Sequence, residues 1–294
     1  MAVTRLLRFS LTTANLDRLG AFYRDAFGCV TLHRRDVSGA AFESLMGVSG
    51  GAHSLMLGLG AQRIELLQFE QPGAPYPSDA AASDLFFQHF ALVVADMAQA
   101  FGRLTQVAGW SAISQPGPQH LPAQSGGVSA FKFRDPDGHP LELLAFAPQQ
   151  VPPAWQSMPH GPLFQGIDHS AISVADNERS IAFYEALGLS VAARSLNCGP
   201  EQARLDGLVA PEVDVTALAL TQGVPHLELL CYRGINRGAA IALRNNDIAA
   251  TRVIFEGEHE RGLIDPDGHH LLMCRESKET LQLFAAPQGV SEGS

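Results

Sequence analysis

The tetrapeptide Asp-Pro-Asp-Gly occurs twice, at Asp135–Gly138 and Asp265–Gly268, each time between two short apolar runs. Proline presets φ and glycine accepts the left-handed conformation, so each copy reads as strand, tight turn, strand. After the first turn, alternation puts Leu141, Leu143 and Ala145 on one face and Glu142, Leu144 and Phe146 on the other. A carboxylate in the middle of an apolar strand is costly to bury unless it is paired or holds a metal. Glu142 therefore needs a reason. The same place after the second turn is taken by Leu272.

The repetition extends beyond the turns. Arg8–Gly28 (RFSLTTANLDRLGAFYRDAFG) matches His169–Gly188 (HSAISVADNERSIAFYEALG): a short strand, a polar break, then an amphipathic helix carrying Phe22-Tyr23 or Phe183-Tyr184 as core anchors. Asn15 or Asp17, and Asp176 or Asn177, signal the helix starts. Weaker copies run from His89 to Val107, with Asp96 as cap, and from Ala240 to Phe255, with Asp247 in the Asp96 position. This alignment makes Arg8, His89, His169 and Ala240 equivalent on the first strands, and Glu65, Glu142, Glu228 and Leu272 equivalent on the last. Four βαβββ units follow, at roughly 1–72, 84–148, 165–234 and 238–286. A proline-rich stretch, 149–164, divides the chain into two halves, 1–148 and 165–286, with a tail at 287–294.

With 46% hydrophobic and 17% charged residues, the chain has the composition of a soluble globular protein. A net charge of −10 without a basic cluster disfavours nucleic acid and anionic membranes as partners. No apolar run reaches the ~20 residues of a membrane span. Cys29, Cys198, Cys231 and Cys274 form no CxxC pair and read as free, small buried hydrophobes. With no secretory leader in MAVTRLLRFSL, the expectation is a cytoplasmic protein, monomer or homodimer, acting on a small molecule.

The strand–helix segments with Phe-Tyr and Leu-Gly, and the last strand reading DPDGxxxEL, resemble the vicinal oxygen chelate (VOC) superfamily, which includes glyoxalase I, extradiol dioxygenases and the bleomycin- and fosfomycin-resistance proteins. The resemblance covers nearly the whole chain. It implies an α+β fold in which the four units pair into two cup-shaped mixed sheets with helices outside, each half being a glyoxalase-like domain. In that superfamily each cup holds a divalent metal through residues of the first and last strands. Carried onto this chain, the resemblance gives His89, Glu142, His169 and Glu228 as metal ligands. They share one cup only if the units pair across the halves, two with three and one with four. Pairing within halves would instead leave Arg8, Glu65, His89 and Glu142 together. The crossed cup is favoured, because only units two and three offer both a histidine and a glutamate, and glyoxalase I resembles that arrangement, with two His (or Gln and His) and two Glu. Two imidazoles and two carboxylates suit Zn²⁺, Ni²⁺, Mn²⁺ or Fe²⁺.

The resemblance implies a glyoxalase-type lyase or isomerase that chelates vicinal oxygens of a small α-oxo substrate, with Glu142 as the base. One alternative is an Fe²⁺ extradiol-type dioxygenase, with His89, Glu142 and Glu65 as an irregular triad. The other is a metal-free binding or resistance protein. Arg8 could bind a substrate carboxylate or phosphate, or simply pair with Glu65. His226, two residues from Glu228, is a supporting candidate. His139, His269 and His270 read as exposed turn residues.

Overall fold

The structure, a computed structural model, describes residues 3–156, 161–221, 223–234 and 241–275. Unit one comprises β1 (Leu6–Thr12), α1 (Leu16–Phe27), β2 (Val30–Val37), α2 (Ala40–Met46), β3 (Ala52–Leu59) and β4 (Gln62–Phe69). Unit two comprises β5 (Gln88–Val94), α3 (Met97–Leu104), the short β6 (Ser111–Ala112) and β7 (Gln119–His120), β8 (Ser129–Arg134) and β9 (Pro140–Ala145). The join contains the single turn α4 (Pro153–Gln156). Unit three comprises β10 (Phe164–Ser173), α5 (Asn177–Ala186), β11 (Ser190–Asn197), α6 (Pro200–Asp206), β12 (Val213–Leu220) and β13 (Gly223–Tyr232). Unit four has β14 (Arg252–Glu256), β15 (Arg261–Ile264) and β16 (His270–Cys274).

The caps behave as their chemistry requires. The side chains of Asn15, Asp96 and Asp176 accept from the main-chain N–H groups of Arg18, Gln99 and Arg179, satisfying otherwise unpaired donors at the starts of α1, α3 and α5.

The strands form two mixed sheets, and each draws on both halves of the chain. The seven-stranded sheet runs β15-β16-β14-β1-β4-β3-β2, joining units four and one. The nine-stranded sheet runs β11-β12-β13-β10-β5-β9-β8-β6, with β7 also paired to β8, joining units three and two. Inside each unit the first and last strands are parallel, and at each seam two first strands are antiparallel, β1 with β14 and β10 with β5. One core serves both sheets: Phe9 of β1 stacks on Phe90 of β5 with ring centroids 5.1 Å apart, and α1, α3 and α5 pack into the same cluster.

The helices of each half also grip its other unit. Tyr23 of α1 donates to Asp135 at 3.2 Å, and Tyr184 of α5 donates to Asp265 at 3.1 Å. The tyrosines of the Phe-Tyr pairs thus bury their rings and satisfy their hydroxyls on the Asp-Pro-Asp-Gly turns. The turns fold inward rather than outward. Asp135 accepts the main-chain N–H groups of Asp137 and His139, and Asp265 does the same for Asp267 and His269. His139, His269 and His270 are consequently buried, contrary to their expected exposure. Each imidazole lies within hydrogen-bonding distance of a carbonyl, that of Ile248, Ser173 or Leu243. Of the cysteines, all free, only Cys29 is fully buried; Cys198, Cys231 and Cys274 are half-buried.

Unit four departs from the expected plan. No helix lies among its described residues, and its first strand begins at Arg252. Asp247 is a turn residue that accepts from Arg244 N–H, as Asp84 accepts from Ala81 N–H, so its counterpart is Asp84 and not Asp96. The seam registers agree: Ser10 faces Arg252 where Ala171 faces His89. Arg252, not Ala240, occupies the His89 position; Ala240 lies outside the described residues. The cause is a shortened unit: only residues 257–260 lie between β14 and β15, too few for a helix, while Ile248, Ala249 and Ala250 are buried in the turn before β14, as Leu85 and Phe87 are before β5. No helix among the described residues is long and apolar enough to cross a membrane.

Candidate metal centre

The nine-stranded sheet lines a partly open cavity of about 330 Å³. His89 on β5, Glu142 on β9, His169 on β10 and Glu228 on β13 all line it. Strand pairing brings them together: Ala91 faces Glu142, Ala171 faces Glu228, and β5 pairs with β10 at the seam. His89, Glu142 and His169 each offer one donor atom within 4.8 Å of the others. Glu228 Oε2 lies 3.6 Å from His169 Nε2.

His89 carries the clearest sign of what this group can hold. Its ring is buried, and neither nitrogen has a hydrogen-bond partner. Nε2 lies 2.9 Å from Glu142 Oε2 but out of line for a hydrogen bond. A buried polar atom without a partner is rare and calls for a ligand. Donors sharing one divalent ion at ~2 Å each lie about 3 Å apart, so the spacing and the missing hydrogen bond both fit a metal. Burial, with help from the Lys132 charge, keeps His89 below its ordinary pKa and so neutral, as a ligand must be.

The other half of the site is ionic. Burial alone would lower the His169 pKa, but Glu228, Asp168 and Glu142 outweigh it and raise it to about 9. Burial would raise Glu228, but His169, His226 and His89 bring it down to about 2. Glu142 is likewise held below the usual carboxylate range, burial being outweighed by His89, Lys132 and His169. His226 lies beside His169 in the β10–β13 pairing, its Nε2 3.4 Å from Glu228 Oε1.

A polar cluster at one wall of the cavity was not anticipated. Lys132 on β8 donates to Asp206 of α6 at 2.7 Å, and Asp206 also accepts from Gln202 at 2.7 Å and Tyr232 at 3.0 Å. This cluster ties α6 to strands on both sides of the cavity. The sequence held half the signal: in Phe131-Lys132-Phe133 a lysine alternates with buried rings and faces Glu142 on the next strand. Nothing local marked Asp206 as its partner.

The other cup is built differently. Arg8 Nε pairs with Glu65 Oε2 at 3.2 Å, and Ser54 donates to Glu65 at 3.2 Å. Arg252 is fully buried, donating to Ser10 and Thr12. Leu272 joins Met46, Leu67, Phe69 and Ile254 in an apolar cluster, against which Phe42 and Leu45 of α2 pack. Arg8 and Glu65 are therefore in the opposite sheet from His89 and Glu142, and a triad of His89, Glu142 and Glu65 does not assemble.

Residues 5–143 match the family model of the Glyoxalase/Bleomycin resistance protein/Dioxygenase superfamily. The chain is 25% identical over 250 residues to lactoylglutathione lyase GLX1 of Arabidopsis thaliana, covering 83% of this chain and 75% of that protein. Its fold matches glyoxalase I from Zea mays with a TM-score of 0.58 at 19% identity, covering 97% of each chain. A putative dioxygenase from Bacillus subtilis matches with a TM-score of 0.55 at 9% identity, over 92% of this chain and 85% of that one. By the family-model match, residues 5–143 are a domain of the glyoxalase/bleomycin resistance/dioxygenase superfamily, and the whole chain shares the fold of glyoxalase I from Zea mays.

Proposed function

We propose that this protein is a divalent-metal-dependent lyase or isomerase of the glyoxalase type, with His89, Glu142, His169 and Glu228 as the metal-holding residues. The observation that carries this reading is the convergence of two imidazoles and two carboxylates, drawn from both halves, on one cavity. The similarity to a lactoylglutathione lyase supports it. A divalent ion held there supplies Lewis-acid polarisation of a carbonyl, which acidifies the neighbouring C–H. Glu142 is the base: a carboxylate oxygen accepts the α-proton and returns it to the adjacent carbon, completing the isomerisation. His89, kept neutral by burial, offers a nitrogen lone pair without first losing a proton. Lys132, buried beside Glu142, keeps that carboxylate ionised and ready to take the proton. Leu121, Leu144 and Leu205 give the cavity an apolar wall for the carbon skeleton of the substrate.

Metal per chain, measured by elemental analysis on wild type and His169→Ala, is the test, followed by isomerisation of hemithioacetals formed from methylglyoxal and simple thiols. One ion in wild type, lost in the variant, together with turnover that Glu142→Gln abolishes, supports the reading. Wild type that takes up no metal after reconstitution refutes it and leaves a binding protein.

A second reading has its own observation. His89, His169 and Glu142 form a compact two-histidine, one-carboxylate group, the ligand set of non-haem Fe²⁺ oxygenases. Oxygen uptake by the iron-loaded protein with catechols, in place of hemithioacetal turnover, would favour an extradiol-type dioxygenase.

A further inference from the structure

We infer that the join between the two halves completes the metal centre, through a chain of hydrogen bonds from Trp155 to Asp168 to His169. Trp155 sits in α4 of the join, and its indole Nε1 donates to Asp168 Oδ1 at 2.6 Å. Asp168 Oδ2 in turn lies 3.1 Å from His169 Nδ1. All three side chains are more than nine-tenths buried.

Consecutive strand residues normally point to opposite faces. Asp168 and His169 meet because the register of β10 against β5 is irregular between Ile167 and Ser170. Gly166 makes room for the indole, since a Cβ there would come within 2.9 Å of the Trp155 ring. Irregular strand, glycine and tryptophan together hold one carboxylate against one imidazole.

The effect on His169 follows from hydrogen-bond bookkeeping. A carboxylate accepts only, so the atom it meets, Nδ1, must carry the proton, and Nε2 is left to face Glu228 and the cavity. A histidine ligand held this way is fixed in tautomer and ring angle. Indole N–H is a donor only, so Trp155 fixes the other oxygen of Asp168 and holds the carboxylate against rotation. The remaining first-strand positions lack the device. His89 follows Gln88, and Arg8 follows Leu7. Asp168 and Trp155 are positioning residues, and a stretch with the composition of a spacer sets the geometry of the centre.

This inference rests on the metal reading proposed above. It is tested on the full chain with cobalt(II) as the probe. Stoichiometry, affinity by chelator competition and the visible ligand-field spectrum are measured for wild type, Asp168→Asn, Asp168→Ala, Trp155→Phe and the Trp155→Phe/Asp168→Asn double variant. The melting temperature of each metal-free protein is recorded alongside. Wild type takes one ion. Loss of Asp168 weakens cobalt binding about ten- to a hundredfold and alters the spectrum. Trp155→Phe, which keeps an aromatic ring but loses the donor and part of the ring surface against Gly166, weakens it about threefold to tenfold with a smaller spectral change, the metal-free melting temperature reporting the packing loss separately. The double variant is no weaker than Asp168→Asn, because both changes act through one contact. Should the Asp168 variants fail to fold, Trp155→Phe alone decides. Unchanged affinity and spectrum in Trp155→Phe and Asp168→Asn, with wild type binding one ion, overturn the inference and leave the proposed function standing. Two ions per wild-type chain, one lost in Asp168→Ala, also overturn it: Asp168 would then be a ligand, grouped with His169 and His226. No cobalt in wild type overturns the metal reading and this inference with it.

Discussion

Lys132 and Asp206 are both buried, and each is the other's counter-charge at 2.7 Å. Removing Lys132 leaves Asp206 buried without its counter-charge, and removing Asp206 leaves Lys132 only the more distant Glu142. Lys132→Met or Asp206→Leu alone is expected to cost about 3–5 kcal/mol, whereas the double variant costs much less. Urea denaturation of the three proteins checks this, and equal losses in singles and double would contradict it. A second expectation concerns pH. His169 is raised from 6.5 to about 9, so its stabilisation is complete below about 6.5 and is lost as pH rises through 9. Glu228 is lowered from 4.5 to about 2, so its stabilisation is present above about 4.5 and is lost as pH falls towards 2. In the metal-free protein this pair therefore contributes most between about pH 4.5 and 6.5, so the gap in melting temperature between wild type and Glu228→Gln should be widest there, as scanning calorimetry across pH would show. Metal must displace the His169 proton, so metal affinity should rise with pH up to about 9. At this scale the sequence was legible where alternation sets a residue's face, as for Glu142. It was illegible where a partner arrives from a distant helix, as Asp206 does, or where an irregular register turns Asp168 towards its neighbour.

The two cups differ through one short helix in each. In the nine-stranded sheet, Asp206 at the end of α6 is held by Lys132 and Tyr232 above an open cavity. In the seven-stranded sheet α2 brings Leu45 and Met46 down onto Leu67 and Leu272. Gly262, which faces Leu272 as Lys132 faces Glu142, permits that approach: a Cβ on it would lie 3.3 Å from the Leu45 carbonyl oxygen. Gly262→Leu should displace α2 and lower stability by about 1–3 kcal/mol without changing metal uptake. Denaturant midpoints and metal content of that variant are the measurements; a loss of metal would mean that the cups are coupled. The caps at Asn15, Asp96 and Asp176 announced their helices, because a cap is a local interaction. Unit four did not announce its missing helix, since apolar residues buried by a turn leave much the same pattern as those buried by a helix face.

Over the whole molecule, repeats supplied the number of units and their strands, while the choice between pairing within and across halves lay outside any local pattern. The structure pairs them across, and the seams β1–β14 and β5–β10 join the halves through main-chain hydrogen bonds. Neither 1–148 nor 165–286 contains both histidines. Each half expressed alone should bind metal at least about tenfold more weakly than the intact chain, and co-expression should restore uptake. Full uptake by either half alone would refute the shared site.

The two seams also close at different moments of synthesis. Every strand of the nine-stranded sheet lies at or before Tyr232, so the cup with the histidines has all its strands before the last strands of the other cup are made. β1, among the first segments made, must wait for Arg252–Glu256 before its free edge is covered. During that interval β1 offers unpaired main-chain groups to any passing strand. A chain that ended before residue 252 and left the ribosome would carry every strand of the histidine cup and an adhesive edge, and is the form of this protein most in need of a chaperone.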